Sequence, residues 1–306
     1  MTKHVKIGTR ESELAVWQAS LVKSLLHENG ISSELVYIKS EGDVDTVTPL
    51  YELGVQGIFT KTLDIALLAG KIDIAVHSMK DVPTQPAKGI MQAAVLKRAS
   101  CKDILVYKDS PVFLEERFGI AIIATSSIRR KAQWLHRYPN HEIVNLRGNV
   151  NTRLRKVEQH SWQGAIFAAA GVERINLRPA NSIDLDWMLP APAQGAIMVV
   201  CRENEKGIAE SCALMNDTLT EKCTKIERDF LRTLLGGCST PISALATELA
   251  GNIIFKGNIC SPNGKELISI EKVFDQHTIN GGMLAAEELL LDANARQVIY
   301  NIRNEQ

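Results

Sequence analysis

The chain has 306 residues, 45% hydrophobic and 23% charged, which is typical of a folded protein and long enough for two or three domains. Its 35 basic residues balance its 35 acidic residues, so no overall field favours nucleic acid or a membrane, and anions must be bound by local clusters. No apolar run reaches the roughly 18 residues of a membrane span, no signal-peptide core is present, and six cysteines lack zinc-like spacing. We therefore expect a cytoplasmic protein with reduced thiols and no metal.

Strand and helix signals alternate through the first two thirds of the chain. A first series predicts strands over residues 5–9, 34–38 and 72–76 and helices over residues 12–28 and 60–69. A second series predicts strands over residues 120–124, 143–146 and 165–169 and helices over residues 127–137 and 149–158. The Pro-rich passage 189–193 is typical of a crossing between units, and the strand that follows it, over 196–201, is expected to return to the first unit.

The remaining third of the chain predicts a smaller α+β unit. A helix is expected over 217–235 and another over 283–291, with strands over 253–259 and 267–274 between them. The strands flank Ser261-Pro262-Asn263-Gly264, a hairpin-type turn. The pattern as a whole belongs to the α/β class, with no internal repeat and no low-complexity tract.

A group of polar side chains follows one buried strand. His77, Ser78, Lys80 and Asp81 come directly after the apolar run, and Pro83 favours an extended exit from it. Open α/β sheets place their ligand crevices at the carboxyl ends of strands. The stretch is therefore a candidate site, and the plainer alternative is a polar loop that caps a strand.

Arginines recur at strand ends. Four separate strand-to-helix junctions carry them, at Arg10, Arg129 with Arg130, Arg147 (followed on its helix by Arg153) and Arg174. Helix amino termini attract anions, so cations placed there are unfavourable unless an anion arrives, and arginine binds carboxylates with a two-pronged fork. We interpret the set as a groove for a ligand with several carboxylates or phosphates, to which the hydroxyls of residues 125–127 add donors. The alternative is a set of surface ion pairs.

Asp81 and Cys238 complete the candidate chemistry. Among arginines the Asp81 carboxylate should stay ionised, so it is suited to stabilise positive charge or to move protons. Its alternative role is an ion-pair partner for Lys80 or an arginine. Cys238 follows two glycines, which leave its thiol sterically open for covalent attachment. The other five cysteines are expected to be inert.

The chain resembles the hydroxymethylbilane synthase family, also called porphobilinogen deaminase, in five segments that keep the family's order and spacing. These are residues 76–83, 125–130, 146–150, 194–196 and 236–238, and the likeness extends from Ile7 to the final helix. The resemblance implies two α/β domains like those of periplasmic binding proteins, with a cleft between them, and a smaller C-terminal α+β domain. The implied domains are 1–98 with 194–214, 99–193, and 215–306.

The resemblance also implies a chemistry, that of a monomeric transferase of haem (tetrapyrrole) biosynthesis. Four porphobilinogen molecules would be deaminated and joined head to tail onto a dipyrromethane cofactor, held by a thioether at Cys238, before water releases hydroxymethylbilane. Porphobilinogen and linear pyrrole-chain intermediates are then the binding partners. Each pyrrole carries an acetate and a propionate, which accounts for the arginines, and loss of ammonia leaves a cationic azafulvenium that Asp81 would stabilise.

By the same resemblance, roles are assigned residue by residue. Asp81 is catalytic, and Cys238 is the covalent anchor. The implied cofactor-binding residues are Ser78, Lys80, Thr125, Ser126, Ser127, Arg129, Arg130, Arg147, Gly148 and Arg153. The implied substrate-binding residues are Arg10, Ser12, Arg147, Arg153, Gly171, Arg174 and Gln194.

Two positions depart from the family's pattern. Gln56, in a Gly-bearing loop at 53–59 that is long enough for a lid, stands where many members have lysine. Pro192-Ala193 stands where Val-Gly is common, which is expected to stiffen one crossover. The two-unit layout alone also fits a non-catalytic cytosolic binding protein for a small polycarboxylate, but Cys238 would have no purpose in it. A sensor or regulatory domain is a third alternative, which no DNA-reading helix or basic face supports.

Overall fold

A computed structural model describes residues 4–39, 60–234 and 240–304. In chain order the strands are β1 (Val5–Thr9), β2 (Ser33–Tyr37), β3 (Ile74–Ser78), β4 (Ile90–Val95), β5 (Asp103–Tyr107), β6 (Ile122–Ala124), β7 (Glu142–Val144), β8 (Gly164–Ala168), β9 (Ser182–Asp184), β10 (Ile197–Arg202), β11 (Ile242–Leu249), β12 (Asn252–Cys260) and β13 (Leu267–Asp275). The α-helices are α1 (Glu13–Glu28), α2 (Lys61–Leu68), α3 (Ile128–Arg137), α4 (Val150–Gln159), α5 (Ala169–Glu173), α6 (Lys206–Ala213), α7 (Thr218–Leu234), α8 (Gly281–Leu289) and α9 (Ala293–Asn304).

The first sheet has five strands in the order β2-β1-β3-β10-β4. β1 is parallel to β2 and β3, whereas β10 is antiparallel to both β3 and β4. The central strand β3 is almost wholly buried, as expected for a strand that is covered on both faces. One apolar cluster includes side chains of α1 and α6, and a second includes side chains of α2, among them Leu63 and Leu67.

The second sheet repeats this arrangement in the order β7-β6-β8-β5-β9. β6 is parallel to β7 and β8, and β5 is antiparallel to β8 and β9. The side chains of Trp134 in α3 and of Tyr138, the residue after α3, lie in one apolar cluster of this unit, and that of Val157 from α4 lies in another. The sequence shows no repeat, so the two units share a topology without sharing a recognisable sequence.

Two crossings connect the sheets within the described part of the chain. The chain leaves the first sheet after β4 and enters the second through β5, then leaves after β9 and returns through β10. The crossing segments run side by side and are joined by backbone hydrogen bonds. Leu96 N–H donates to Ile197 O at 3.0 Å, and Ala99 N–H donates to Gly195 O at 3.1 Å. The numbered domain boundaries themselves stay a prediction.

The third sheet is antiparallel, in the order β11-β12-β13. Its core includes Phe230 of α7 and Phe255 of β12, whose ring centroids are 5.1 Å apart. Helix α8 approaches α7 so closely that a Cβ at Gly282 would lie 1.9 Å from the carbonyl oxygen of Ile226. This close approach requires a glycine at the start of α8.

Several element boundaries differ from the sequence prediction. β3 extends to Ser78 rather than ending at Val76, because it pairs with β10 as far as Ser78 opposite Ile197. α8 begins at Gly281, where two glycines conceal the start of the helix. Four strands (β4, β5, β9 and β11) and three helices (α5, α6 and α9) were not predicted. Among the described residues, no helix combines the length and the apolar character that a membrane crossing requires.

Candidate active site

The polar stretch at the end of β3 forms a tight turn. β3 passes into a single 3-10 turn, Met79–Asp81, in which Met79 is buried and Asp81 is half-buried. The carboxylate of Asp81 interacts electrostatically with Lys80 and Arg153 and partly opposes the lowering of their pKa values by burial. Within the described ranges its oxygens accept no hydrogen bond, which leaves them available to a ligand.

Lys80 is linked to the second sheet through Gln194. Its Nζ donates to Gln194 Oε1 at 3.2 Å, and Gln194 Nε2 donates to Asp103 Oδ1 at 2.9 Å and to Cys101 O at 2.7 Å. Burial and the neighbouring Arg130 lower the pKa of Lys80 to about 8, against the opposing effect of the carboxylates. Its ammonium is therefore poised to gain an anionic partner.

Arg129 and Arg130 are buried and bind the same carboxylate. Arg129 Nη2 donates to Asp103 Oδ2 at 2.7 Å, and Arg130 donates to Asp103 Oδ1 from Nε at 3.1 Å and from Nη2 at 2.8 Å. They also donate to the carbonyls of Leu189 and Ile166, respectively. Burial by itself would raise the pKa of Asp103, but the two arginines and Lys80 hold it well below its usual range.

Asp103 corrects part of the interpretation drawn from the sequence. We expected cations at the α3 amino terminus to await an external anion, whereas the chain supplies one in Asp103, which is fully buried. Sequence reasoning missed this residue because it opens a short apolar strand 26 residues before Arg129. The available signal was the rarity of an unpaired acid at the start of a buried strand.

The hydroxyls of the segment 125–127 make local hydrogen bonds. Ser127 caps α3 by accepting from Arg130 N–H at 3.4 Å, and Thr125 Oγ1 accepts from Ser127 N–H at 3.2 Å. Ser126 Oγ exchanges hydrogen bonds with the backbone of Leu146, at 3.0 and 2.9 Å. The segment therefore fixes the β6–α3 turn and joins it to the residue before Arg147.

Arg147, Gly148 and Arg153 form the next part of the site. Arg147 is buried, and Gly148 has φ +111°, where an added Cβ would lie 2.7 Å from Thr152. Arg153 is half-buried, and its Nε donates to Gly148 O at 2.7 Å. Burial and the nearby Arg130 lower the pKa of Arg153 to about 10, against the opposing effect of Asp81.

These groups form one electrostatic network, which we call the cationic cluster. Counted over the described part of the chain, it contains five cations and two carboxylates, so positive charge is in excess there. The members are Lys80, Arg129, Arg130, Arg147, Arg153, Asp81 and Asp103. Guanidinium and ammonium groups in excess are the donor set that a molecule with several carboxylates requires. The donor chemistry therefore fits a dipyrromethane, whose rings carry acetate and propionate groups.

Three further predicted residues, Ser78, Gly171 and Arg174, line one cavity between the two units. Arg174 Nη2 donates to Gly195 O at 2.7 Å, and its guanidinium lies 5.7 Å from the ring centroid of Trp17. Ser78 exchanges hydrogen bonds with Gln18. Gly171 lines a cavity of about 40 Å³ together with Ser78, Lys80 and Arg174. That volume is about one water molecule, which is too small for two pyrrole rings.

Arg10 and Ser12 follow β1, the neighbour of β3. Ser12 is the N-cap residue of α1, although its side chain makes no capping hydrogen bond. Burial, together with the charge of Arg10, lowers the pKa of His77 to about 4. His77 is therefore neutral at physiological pH, and the structure brings both predicted β1 residues to the same sheet edge as Asp81.

Five cysteines lie in the described residues, and all have free thiols. Burial raises the pKa of Cys212 and Cys260 to about 12 and that of Cys223 to about 11, as expected for inert core thiols. Cys238 lies outside the described residues, as do Gln56 and the loop 53–59. Within the described residues, no group of three His, Cys, Asp or Glu side chains is arranged to hold a metal.

Two family models match the chain. "Porphobilinogen deaminase, dipyromethane cofactor binding domain" matches residues 5–210, and "Porphobilinogen deaminase, C-terminal domain" matches residues 221–291. The chain belongs to the porphobilinogen deaminase family. Together the two matches include every predicted site residue, from Arg10 to Cys238.

Relatives from bacteria and plants agree with this placement. The chain is 37% identical over 312 residues to a porphobilinogen deaminase of Chlorobium phaeobacteroides (strain BS1), with 99% of each chain covered. It is 42% identical to that of Syntrophotalea carbinolica (strain DSM 2380 / NBRC 103641 / GraBd1), covering 86% of this chain and 85% of the relative. It is 38% identical to the "Porphobilinogen deaminase, chloroplastic" of Pisum sativum, covering 94% and 82%.

A solved structure of the methionine-binding protein MetQ is a more distant neighbour. It is 14% identical, with a TM-score of 0.43, and covers 68% of this chain and 89% of its own. The strand orders and pairings of the chain itself define its fold more closely than this distant likeness does.

Membership of the porphobilinogen deaminase family confirms the main sequence predictions. The transferase class, the dipyrromethane cofactor and the fold of two α/β domains with a smaller C-terminal domain are confirmed, and porphobilinogen is the implied substrate. The alternative of a non-catalytic binding protein is not supported. The roles of individual residues stay predictions, as does Cys238 as the anchor.

Proposed function

We propose that this member of the porphobilinogen deaminase family binds carboxylates mainly with one sheet and carries out the chemistry with a residue of the other. The cationic cluster binds the carboxylates of the cofactor and of the growing chain, and Asp81 acts on the reacting pyrroles. The observation that carries this proposal is that, among the described residues, cations mostly from the second sheet outnumber carboxylates beside Asp81 of the first, whose oxygens accept no hydrogen bond from those residues. A dipyrromethane, when bound, supplies the acceptor to which substrate units are joined.

Asp81 is proposed as the catalytic residue. Its half-buried carboxylate lies in the electrostatic field of Lys80 and Arg153. It stabilises the positive charge that develops when porphobilinogen loses ammonia, and it accepts hydrogen bonds from pyrrole N–H groups. Electrostatic stabilisation by a positioned group of this kind contributes about 10²–10³-fold in rate.

Lys80 and the arginines are proposed as carboxylate ligands. Lys80, Arg147 and Arg153 hold the cofactor, with Arg129 and Arg130 oriented for it by Asp103. Ser78, Gly148 and the segment 125–127 shape the site. Substrate carboxylates are held by the residues that line the gap between the sheets, namely Arg10, Ser12, Arg147, Arg153, Gly171, Arg174 and Gln194.

Cys238 is proposed as the thioether anchor, in a third domain over residues 215–306. The other proposed domains are 1–98 with 194–214 and 99–193, in agreement with the paths of the two crossings. We further propose a cytoplasmic monomer with no nucleic-acid or membrane partner. The balanced charge and the free thiols support this assignment.

The test of this function is the Asp81→Asn variant, with Asp109→Asn as a matched control on an exposed carboxylate. Asp81→Asn should retain the melting temperature and the cofactor mass but lose about 10²–10³-fold in turnover. Asp109→Asn should behave as wild type in all three. Turnover by Asp81→Asn within a few-fold of wild type would contradict the catalytic assignment.

A further inference from the structure

The turn that carries Asp81 leaves backbone carbonyls in need of partners. It is a single 3-10 turn, in which Val82 N–H donates to Met79 O at 3.2 Å. Pro83 has no N–H to donate, and the extended segment that follows the turn does not pair the next carbonyls in a β-ladder. Buried backbone carbonyls require a donor, so the position of this turn depends on a donor from another element.

Arg228 of α7 supplies those donors. Its Nη1 donates to Val82 O at 2.9 Å and to Met79 O at 3.3 Å, and its Nη2 donates to Pro83 O at 2.7 Å. One planar guanidinium thus binds three carbonyls, two of which flank Asp81 closely in sequence. A rigid fork fixes both the position and the tilt of the turn, which a single ammonium does not.

The same helix is tied to the crossing segments at the neighbouring residue. Glu227 is fully buried and accepts from Arg98 Nη1 at 2.6 Å, from Ala193 N–H at 2.6 Å and from Ala246 N–H at 2.8 Å. Adjacent residues in the middle of α7 therefore fix the helix to the turn and to both crossings. α7 is held in one place relative to the first sheet.

The helix also leads directly to the proposed anchor. α7 ends at Leu234, four residues before Cys238, so the chain limits the distance between these two Cα atoms to about 14 Å. Whatever fixes α7 against the Asp81 turn therefore also restricts where the anchor lies relative to the catalytic carboxylate.

We propose that Arg228 is a positioning residue for the reaction, which sets the Asp81 turn against the helix that leads to Cys238. The proposal rests on the proposed roles of Asp81 and Cys238. Arg228 acts through the turn's backbone, so its loss should misplace Asp81 without removing a charge from the cationic cluster. Misplacement of a catalytic group by about 1 Å costs on the order of 10²-fold in rate.

The experiment compares Arg228→Ala and Arg228→Lys with the matched control Arg232→Ala. Arg232 lies one turn further along α7, is half-exposed, and pairs with Asp229 at 2.9 Å. Cofactor content is measured by intact mass, and kcat and KM by product formation. Hydrogen exchange is followed at the amides of residues 79–82.

For Arg228→Ala we expect kcat to fall about 10²-fold, with KM and cofactor content unchanged and faster exchange at the turn. Arg228→Lys should recover part of kcat, and Arg232→Ala should match wild type. Wild-type kcat in folded, loaded Arg228→Ala would overturn the proposal. If that variant does not fold, wild-type kcat in Arg228→Lys would overturn it, because one ammonium cannot replace the fork.

Two further outcomes separate this proposal from the function on which it rests. A fall in kcat that follows only lost cofactor or lost melting temperature would make Arg228 structural and overturn the positioning role. An active Asp81→Asn variant would instead remove the proposed function, whatever Arg228→Ala does. An inactive Asp81→Asn with a fully active Arg228→Ala would contradict the positioning role alone.

Discussion

The two five-stranded sheets have the same strand order, yet they carry different side chains at equivalent positions. Aligning the β1–β3 ladder with the β6–β8 ladder makes Lys80 equivalent to Ala170 and Asp81 equivalent to Gly171. The end of the third strand is therefore charged in the first unit, whereas in the second it is small and apolar. The same backbone position carries the proposed catalytic turn in one unit and small apolar residues in the other.

The cations show the opposite distribution. In the second sheet, buried arginines follow β6 and β7, at Arg129, Arg130 and Arg147. Their charge is partly balanced by Asp103 on β5 of the same sheet. The comparison indicates that the shared topology brings strand ends together in both units. The residue types at those ends then decide which unit carries the arginines and which carries Asp81.

The largest expected effect concerns Asp103, the fully buried carboxylate on β5 of the second sheet. Asp103→Asn leaves Arg129 and Arg130 buried without a counter-ion, which should lower the free energy of unfolding by about 3–5 kcal/mol. Urea unfolding measures it. The control is Asp184→Asn, because Asp184 pairs with Lys102 at 2.8 Å in a more exposed setting and should cost about 1 kcal/mol or less. Equal losses in the two variants would contradict the special role of Asp103.

A smaller effect is expected for Arg153, a cation that interacts with Asp81. Arg153→Leu should lower kcat/KM by about 10- to 100-fold, because a charge-assisted hydrogen bond to a carboxylate is lost. The melting temperature should not fall, since the lowered pKa of Arg153 shows that its charge is unfavourable in the free protein. Arg155→Leu, which changes an exposed residue of the same helix, is the control. A loss of stability without loss of activity would make Arg153 structural.

The third prediction concerns replacing His77 of the first unit with the residue type found at the equivalent position of the second unit. His77 is equivalent to Phe167 in the alignment, and its pKa of about 4 lies below the 6.5 of an exposed histidine because of burial and Arg10. The unfolded chain therefore binds more protons between pH 6.5 and 4, so wild type loses stability as pH falls through that window, by up to about 1.4 kcal/mol per pH unit.

The His77→Phe variant lacks this group. Its stability relative to wild type should therefore be higher at pH 5.0 than at pH 7.5, which urea unfolding at the two values measures. The same stability difference at both values would contradict a neutral, buried His77.

The smallest effect concerns the crossing between the sheets. Ala193 has φ +62°, a left-handed conformation that costs a non-glycine residue about 1–2 kcal/mol. Ala193→Gly should therefore raise the free energy of unfolding by about 0.5–1 kcal/mol, after the entropy of the added glycine is subtracted. Ala196→Gly, in the same segment but without positive φ, should lower it. Destabilisation by both would contradict strain at Ala193.

Much of the fold could be predicted because local signals mark it. The strand over 5–9 and the helix over 12–28 follow from apolar periodicity and a terminating glycine, and both appear in the structure with nearly the predicted bounds. The third strand could not be bounded in this way, because its last residue is set by pairing with Ile197, far along the chain. The sequence prediction starts helix α8 two residues late. Gly281 and Gly282 have low helix propensity, and they are present because neighbouring atoms leave no room for a Cβ.

The site was predictable in its charged residues but not in their partners. The positions of Asp81 and of the arginines follow from strand ends, which the sequence marks. Asp103, Glu227 and Arg228 act across elements that are far apart in sequence, so no local pattern identifies their contacts. Glu227 offered one signal, as an acid on the core-facing side of α7 between Ile226 and Phe230.

The most direct test of the proposed covalent mechanism is the intact mass of the protein purified from a host that makes porphobilinogen, measured beside Cys238→Ser. We predict a wild-type mass that exceeds the sequence mass by two linked pyrrole units, and no excess in the variant. The same excess in Cys238→Ser would place the anchor elsewhere. An unmodified wild-type mass that also fails to increase when porphobilinogen is added would contradict the mechanism as a whole.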